Sequence, residues 1–255
     1  MADRVYSPDA ASHPDGGRAL EVRGDEARHL GRVRRVGVGA VVEVFDGHGF
    51  ARAAEVVGLG KDCVSLRPFG APLPDRVALV DLTLATAVPK GDRFDWLVEK
   101  ASELGVAVLL PVLTERSVVD PRATKLDRVR RAAVEAAKQC GRNRLMDIDP
   151  PTPWPDLIRA PSGGALRLVT HPGGAAFADW PRPSGKAIVA VGPEGGFTDA
   201  EVEEAEAGGW IPVSLGATLL RIETAGLIVA ARVLALAELT TSRDNRKSPG
   251  ERADL

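Results

Sequence analysis

At 255 residues, with 44% hydrophobic and 27% charged side chains, the chain can bury one large core or two ordinary ones and reads as a globular protein. A formal net charge of −2 excludes a globally basic or acidic protein, while Cys63 and Cys140 lie far apart without CxxC or Cys/His spacing, which excludes a disulfide framework and a cysteine zinc site. The polar start "MADRVYSPDA", and no window with the roughly 18 apolar residues that a membrane span needs, lead us to expect a cytoplasmic protein without membrane or metal.

Up to about residue 70, short segments alternate apolar and polar side chains, "ALEVRG", "AVVEVFDG" and "FARAAEVVGLGKDCVSLRPFG", between Gly and Asp-Gly turn signals. That pattern predicts a small β barrel or sandwich. The stretch "RPFGAPLPDR", Arg67 to Arg76, then carries three prolines and predicts a linker. We therefore place a first domain at 1–72 and a second at 73–240.

From Val77 onward, apolar runs of strand length alternate with helical patterns. In order these are "ALVDLTLATAV", a helix around "FDWLVEKASELG", "AVLLPVL", a helix around "LDRVRRAAVEAAKQCG", "LRLVT", "AIVAV", an acidic helix, "IPVSLG" and a last apolar helix. Continuous apolar strands between helices predict an α/β domain with a mostly parallel sheet covered on both faces. Gly105 and Gly141 supply helix stops, and Thr198 with Glu201 has capping-box spacing, so the turn before them opens a helix that Gly208 and Gly209 end. The last helix, "TAGLIVAARVLALAEL", is apolar nearly all round and must be buried by its own domain or by a partner subunit, and both are expected. Residues 241–255 are polar and breaker-rich, and are expected to be a disordered tail.

Charge concentrates locally. Between residues 116 and 144 stand nine basic residues, Arg116, Arg122, Lys125, Arg128, Arg130, Arg131, Lys138, Arg142 and Arg144, against Asp120, Asp127 and Glu135. On the helix, Leu126, Val129, Ala133 and Ala136 form the inward stripe, which leaves Arg128, Arg131, Glu135 and Lys138 on the outward face. A second cluster, Arg28, His29, Arg32, Arg34 and Arg35, lies in the first domain. One basic cluster per domain suits a polyanion, because each neutralised phosphate releases counterions.

The stretch "VGPEGGFT", Val191 to Thr198, joins a strand to a helix, as nucleotide-binding turns do. It lacks G-x-G-x-x-G, Pro193 removes an amide, no Lys-Ser or Lys-Thr follows, and Glu194 would repel phosphate. The turn therefore suits a nucleotide-like ligand without phosphates, approached through the main chain that glycine leaves open. S-adenosylmethionine, an adenosine with a cationic sulfonium, is the candidate. Two further strand ends, "LVTHPGG" and "SLGATLLRIETA", carry comparable signals, so three loops are expected to form one pocket beyond the carboxyl ends of the strands.

"VPKGDRFDWLVEKASELGV", "EAAKQCGRNR", "THP", "VGPEGGFTDAEVEEA" and "LGATLLRIETA", in this order, with "ARHLGRVRRVGVG" and "FDGHG" before them, resemble the RsmE family of bacterial 16S rRNA (uracil-N3) methyltransferases. The resemblance implies a PUA-like β barrel followed by a SPOUT methyltransferase domain, whose C-terminal segment forms a trefoil knot. It also implies a homodimer acting on the small ribosomal subunit, with S-adenosylmethionine held in the knot. The cofactor contacts it implies are Thr170, His171, Pro172, Gly192, Pro193, Glu194, Gly195, Gly196, Leu215, Gly216 and Leu220. Thr218 departs from the family pattern, which has arginine there, and Lys138 stands where glutamate is usual.

Methyl transfer from a sulfonium needs in-line positioning more than acid help. Uracil N3 carries a proton, so its chemistry calls for a base and for a donor facing the neighbouring carbonyl oxygens. Arg221, with its planar donors, is the candidate for that donor. Glu223 is either the base or a structural ion-pair partner of an arginine. His171 either contacts ligand or packs, and Cys140 is expected to pack as a small buried residue. Arg28, Arg32, Arg34, Arg35, Arg116, Arg128, Arg131, Lys138, Arg142 and Arg144 are the candidate RNA contacts. The rival readings are a SPOUT enzyme for another RNA position and a non-catalytic RNA-binding assembly factor.

Overall fold

The computed structural model describes residues 3–13, 17–121 and 123–244. The chain packs as two units, Met1–Val77 with Val134–Leu145, and Ala78–Ala133 with Met146–Leu255. The change of unit thus falls after Val77, beyond Pro72, and a segment from the middle of the chain joins the first unit.

The first unit holds β1 (Asp3–Tyr6), β2 (Leu20–Arg23), the one-turn helix α1 (Asp25–Arg28), β3 (Val41–Phe45), β4 (Ala51–Leu59) and β5 (Cys63–Phe69). Their sheet runs β1-β3-β4-β5-β2, with β1 parallel to β3 and the other neighbours antiparallel. Strand alternation sends Leu20, Val22, Val42, Val44, Ala54, Val56, Val64 and Leu66 into one core. A register shift between Val56 and Gly58 bends β4, as a bulge does. The proline stretch read as a linker begins later than expected, because Arg67 and Pro68 still belong to β5.

β1 was not expected, since "DRVY" reads as polar. Its Arg4 is nonetheless buried, donating from Nη1 to the carbonyls of Ala137 (3.1 Å) and Arg142 (2.9 Å), with Glu43 3.2 Å from Nε. The Ala137 carbonyl also accepts from the Gly141 (3.0 Å) and Arg142 (3.1 Å) amides, so the guanidinium adds a donor to the end of α3 and ties it to β1. Burial pushes the Arg4 pKa down, and Glu43 opposes the shift.

The second unit holds β6 (Val80–Thr86), α2 (Arg93–Leu104), β7 (Val108–Leu113), α3 (Ala123–Cys140), β8 (Asp147–Ile148), β9 (Thr152–Pro153), α4 (Trp154–Arg159), β10 (Leu166–Ala175), β11 (Gly185–Val191), α5 (Asp199–Ala207), β12 (Ile211–Val213) and α6 (Ile222–Asp244). α3 is shared, since its residues from Val134 belong to the first unit. The sheet runs β12-β10-β11-β6-β7-β8, with β9 also on β7, and every pairing is parallel. Leu82, Leu84, Leu109, Leu168 and Val189 are fully buried, as a sheet covered on both faces requires.

The helix stops and starts fall where the sequence puts them. Gly105 (φ 98°) and Gly141 (φ 81°) take the left-handed conformation behind α2 and α3, and Thr198 and Glu201 form a reciprocal capping box on α5. α6 packs against α2, β6 and β11. Gly226 permits that approach: a Cβ there would stand 3.3 Å from Leu97 Cδ1. α6 continues to Asp244, past the expected start of the tail, and residues 245–255 lie outside the described residues. β8, β9 and α4 fall within residues 142–165, where the sequence pattern predicts no element. Among the described residues no helix is long and apolar enough to cross a membrane.

Candidate active site

Because every strand of the second sheet points the same way, the loops that follow them emerge at one edge. β12, β10 and β11 are neighbours, so the three loops singled out in the sequence lie side by side beyond adjacent carboxyl ends.

β10 is anchored by the Thr170 hydroxyl, which donates to the Ala190 carbonyl of β11 at 3.0 Å. Thr170 and Ala175 both pair with Val213, so His171 to Gly174 loop out of the ladder. The Gly173 amide donates to His171 Nδ1 at 3.2 Å, which turns the half-exposed imidazole back on its own loop. Ala175 returns the chain by accepting from the Ser214 amide (2.8 Å) and from Trp180 Nε1 (3.1 Å). Gly174 is pressed against β12: a Cβ there would lie 2.4 Å from the Val213 nitrogen and 2.5 Å from the Pro212 carbonyl carbon. In the sequence Gly174 stands as the last residue of "LVTHPGG". A glycine inside a strand was the available signal of close backbone approach.

Beyond β11, the Pro193 carbonyl accepts from the Gly196 amide at 2.8 Å, and Gly196 takes φ 70°. Gly192 and Pro193 are buried, whereas Glu194 and Gly195 are exposed. Gly192 lies over Phe197, whose ring is 4.6 Å from that of the fully buried Trp154, itself 5.3 Å from Trp210. This aromatic stack is a rigid floor for the turn.

Beyond β12, the Gly216 amide donates to Ser214 Oγ at 3.3 Å and Gly216 takes φ 132°. Residues 216–219 are exposed, Leu215 and Leu220 are half-buried, and Leu219 is 89% accessible. Arg221 is exposed just before α6, its carbonyl accepting from the Ala225 amide at 2.8 Å. Glu223 is buried, with Oε1 3.9 Å from Arg93 Nη1 and Oε2 without a hydrogen-bond partner. Of the two roles left open for Glu223, this geometry supports the ion pair. Arg93, at the start of α2, was not foreseen as part of the site.

The chemistry of the loops fits S-adenosylmethionine. Across residues 171–175, 192–198 and 214–221 the charged side chains are Glu194 and Arg221, so no cationic cluster of the kind a pyrophosphate recruits is present. Glycine-opened main chain provides the remaining polar groups.

The basic residues are dispersed and largely engaged. Arg28 pairs with Asp25, Arg34 with Asp3 (3.1 Å), Arg128 with Asp92 (2.9 Å) and Asp95, and Arg144 with Asp75 (2.7 Å). Arg131 is exposed, its Nε 3.4 Å from the Asp127 carbonyl, and Arg35 is exposed with φ 52°. Burial pushes the Arg142 pKa down. The Arg32 side chain and Arg122 lie outside the described residues. Leu126, Val129, Ala133 and Ala136 are buried as expected, but Lys138 is not on an outward face. Its Nζ donates to Glu26 Oε1 (2.9 Å) and Glu135 Oε1 (2.7 Å), and the side chain is 7% exposed. The reason is that α3 from Val134 onward packs in the first unit, so a single stripe does not describe it. Cys140 is half-buried, with Sγ 3.9 Å from the Ala137 carbonyl.

A family model described as RNA methyltransferase domain matches residues 77–234, and one described as RNA methyltransferase PUA domain matches 22–69. A Synechocystis protein named ribosomal RNA small subunit methyltransferase E is 34% identical, over 84% of this chain and 72% of that one. The chain belongs to the ribosomal RNA small subunit methyltransferase E family. The Bacillus subtilis member is 30% identical, over 86% of this chain and 91% of its own. The crystal structure of the Neisseria gonorrhoeae methyltransferase E bound to S-adenosyl methionine superposes with a TM-score of 0.86, at 30% identity, over 92% of this chain and 98% of that one. The methyltransferase match spans the parallel sheet and its loop edge, and the PUA match spans β3, β4 and β5 of the first unit.

Proposed function

We propose that this protein methylates N3 of a uridine in the 16S rRNA of the small ribosomal subunit, with S-adenosylmethionine as methyl donor. The observation that carries the reading is the set of three loops, 171–175, 192–198 and 214–221, side by side beyond three adjacent parallel strands, with Arg221 the one Lys or Arg within them. When bound, S-adenosylmethionine supplies an electrophilic methyl group and leaves as a neutral thioether. Thr170, His171, Pro172, Gly192, Pro193, Glu194, Gly195, Gly196, Leu215, Gly216 and Leu220 would hold it, largely through their main chain.

Arg221 faces the substrate. Its exposed guanidinium donates to a uracil carbonyl oxygen on which charge collects as the N3 proton passes to solvent. Glu223 holds Arg93 beside it. Arg28, Arg34, Arg35, Arg128, Arg131, Arg142 and Arg144 contribute to RNA binding, since surface ion pairs are weak enough for phosphate to displace the carboxylates. Lys138 stays out of that set because it is buried.

The protein acts as a homodimer. Ile228, Ala231, Ala235 and Leu239 recur at helical spacing along α6, and Leu239 is 54% exposed, which supports an apolar face for a second copy. The trefoil knot is supported by chain order: β12 lies at the sheet edge beyond β10, while the following α6 packs against β11 and β6. The test is incubation with unmethylated small subunits and labelled S-adenosylmethionine, followed by nucleoside analysis. Label in N3-methyluridine of 16S rRNA is expected. Label in another RNA, or none, overturns the reading.

A further inference from the structure

Arg116 stands among the basic residues expected to meet RNA, but its contacts point elsewhere. It lies in the turn that follows β7, where the Thr114 amide donates to Ser117 Oγ (2.9 Å) and the Ser117 amide to the Thr114 carbonyl (3.1 Å). That closed turn makes two links to the loop after β11. The Arg116 guanidinium donates from Nη1 to the Gly195 carbonyl at 2.7 Å, and the Glu115 amide donates to Glu201 Oε1 at 2.9 Å. The other Glu201 oxygen accepts from the Thr198 amide at 2.8 Å, so one carboxylate caps α5 and holds the turn. The aliphatic part of Arg116 also lies on Gly195: a Cβ there would be 3.2 Å from Arg116 Cδ.

We propose that Arg116 is a positioning residue for the methyl-donor loop, fixing the Gly195 carbonyl so that the 192–198 main chain is preset for S-adenosylmethionine. The inference rests on the reading of that loop as cofactor site. Its physical basis is the flexibility of the sequence it restrains. Gly195 and Gly196 are exposed to half-exposed, without side chains to pack, and Gly196 sits at φ 70°. The aromatic floor reaches the loop through Gly192 and Phe197, and the capping box holds its exit at Thr198. Arg116 restrains the stretch between them. A loop ordered beforehand does not spend binding free energy on ordering itself. Loss of one charge-assisted hydrogen bond of this kind corresponds to about a tenfold change in affinity.

The experiment measures S-adenosylmethionine binding by calorimetry, kcat, and KM for each substrate, in wild type, Arg116→Ala and Arg116→Lys. Hydrogen exchange of the 192–198 amides is followed with and without S-adenosylmethionine. Arg116→Ala should bind the cofactor about tenfold more weakly, raise its KM more than it lowers kcat, and exchange those amides faster. Arg116→Lys, which keeps a donor, should recover part of the affinity. The KM for ribosomal subunits and the melting temperature should stay close to wild type. Unchanged cofactor affinity with a raised KM for subunits makes Arg116 an RNA contact and overturns the proposal. If wild-type amides gain no protection on cofactor binding, the assignment of the loop itself fails, and that outcome is separable from the first.

Discussion

Two adjacent glycines near the end of β10, Gly173 and Gly174, should respond to alanine differently. At Gly174 the added Cβ would stand 2.4, 2.5 and 2.7 Å from backbone atoms of Pro212 and Val213, where ordinary carbon contacts need about 3.5 Å. Relief requires β10 and β12 to separate by about 1 Å, because backbone cannot rotate aside as a side chain does. Overpacking of this kind costs about 3 kcal/mol, and losing the Ser214 amide to Ala175 carbonyl bond adds about 1 kcal/mol. At Gly173 the Cβ would meet only the His171 ring, at 3.4 Å or more, and φ needs no glycine. Gly173→Ala should therefore change stability by at most about 0.5 kcal/mol. Urea unfolding of both variants, with calorimetric titration of S-adenosylmethionine, checks this. Gly174→Ala should lose about 3–4 kcal/mol and bind the cofactor poorly, while Gly173→Ala should match wild type in stability. Equal behaviour of the two would refute the packing argument.

Arg221→Ala should lower kcat by about a hundredfold with little change in S-adenosylmethionine affinity, as removal of a transition-state donor does. Lys138→Met should destabilise the protein by about 2–3 kcal/mol, because Glu26 is left partly buried beside Glu135, and it should leave RNA affinity unchanged. Filter binding to rRNA and chemical unfolding of the same variant separate those two effects. Burial, with Asp147 nearby and Arg130 opposing, raises the Asp149 carboxyl pKa above its ordinary value. The folded state therefore holds that proton more tightly, and Asp149 weakens stability as pH rises from the unfolded pKa through the folded one. Asp149→Asn should melt higher than wild type at pH 8, with the gain shrinking toward pH 4.

The parts of the fold legible in the sequence are those set by local chemistry. The Thr198 and Glu201 capping box needs only residues on one turn, and Gly105, Gly141 and Gly209 stop helices through a backbone conformation intrinsic to glycine. The apolar runs at β6, β7, β10 and β11 show that both faces of the sheet are covered. What was not legible depends on partners distant in sequence. Arg4 is buried only because Glu43 and the end of α3 receive it, and Lys138 only because Glu26, far along the chain, lies opposite. The loops of the site were visible as glycine-rich strand ends. Their supports, Gly174 against β12, Arg93 at Glu223 and Arg116 on Gly195, come from elements that fold beside them.

The most direct measurement gives purified protein small ribosomal subunits that lack its methyl group, together with methyl-labelled S-adenosylmethionine, and maps the label by mass. One methyl group per subunit is expected, on N3 of a single uridine in 16S rRNA, with a rate strongly reduced in Arg221→Ala. A methyl group on another base, on tRNA or on no RNA, or full activity in Arg221→Ala, would contradict that expectation.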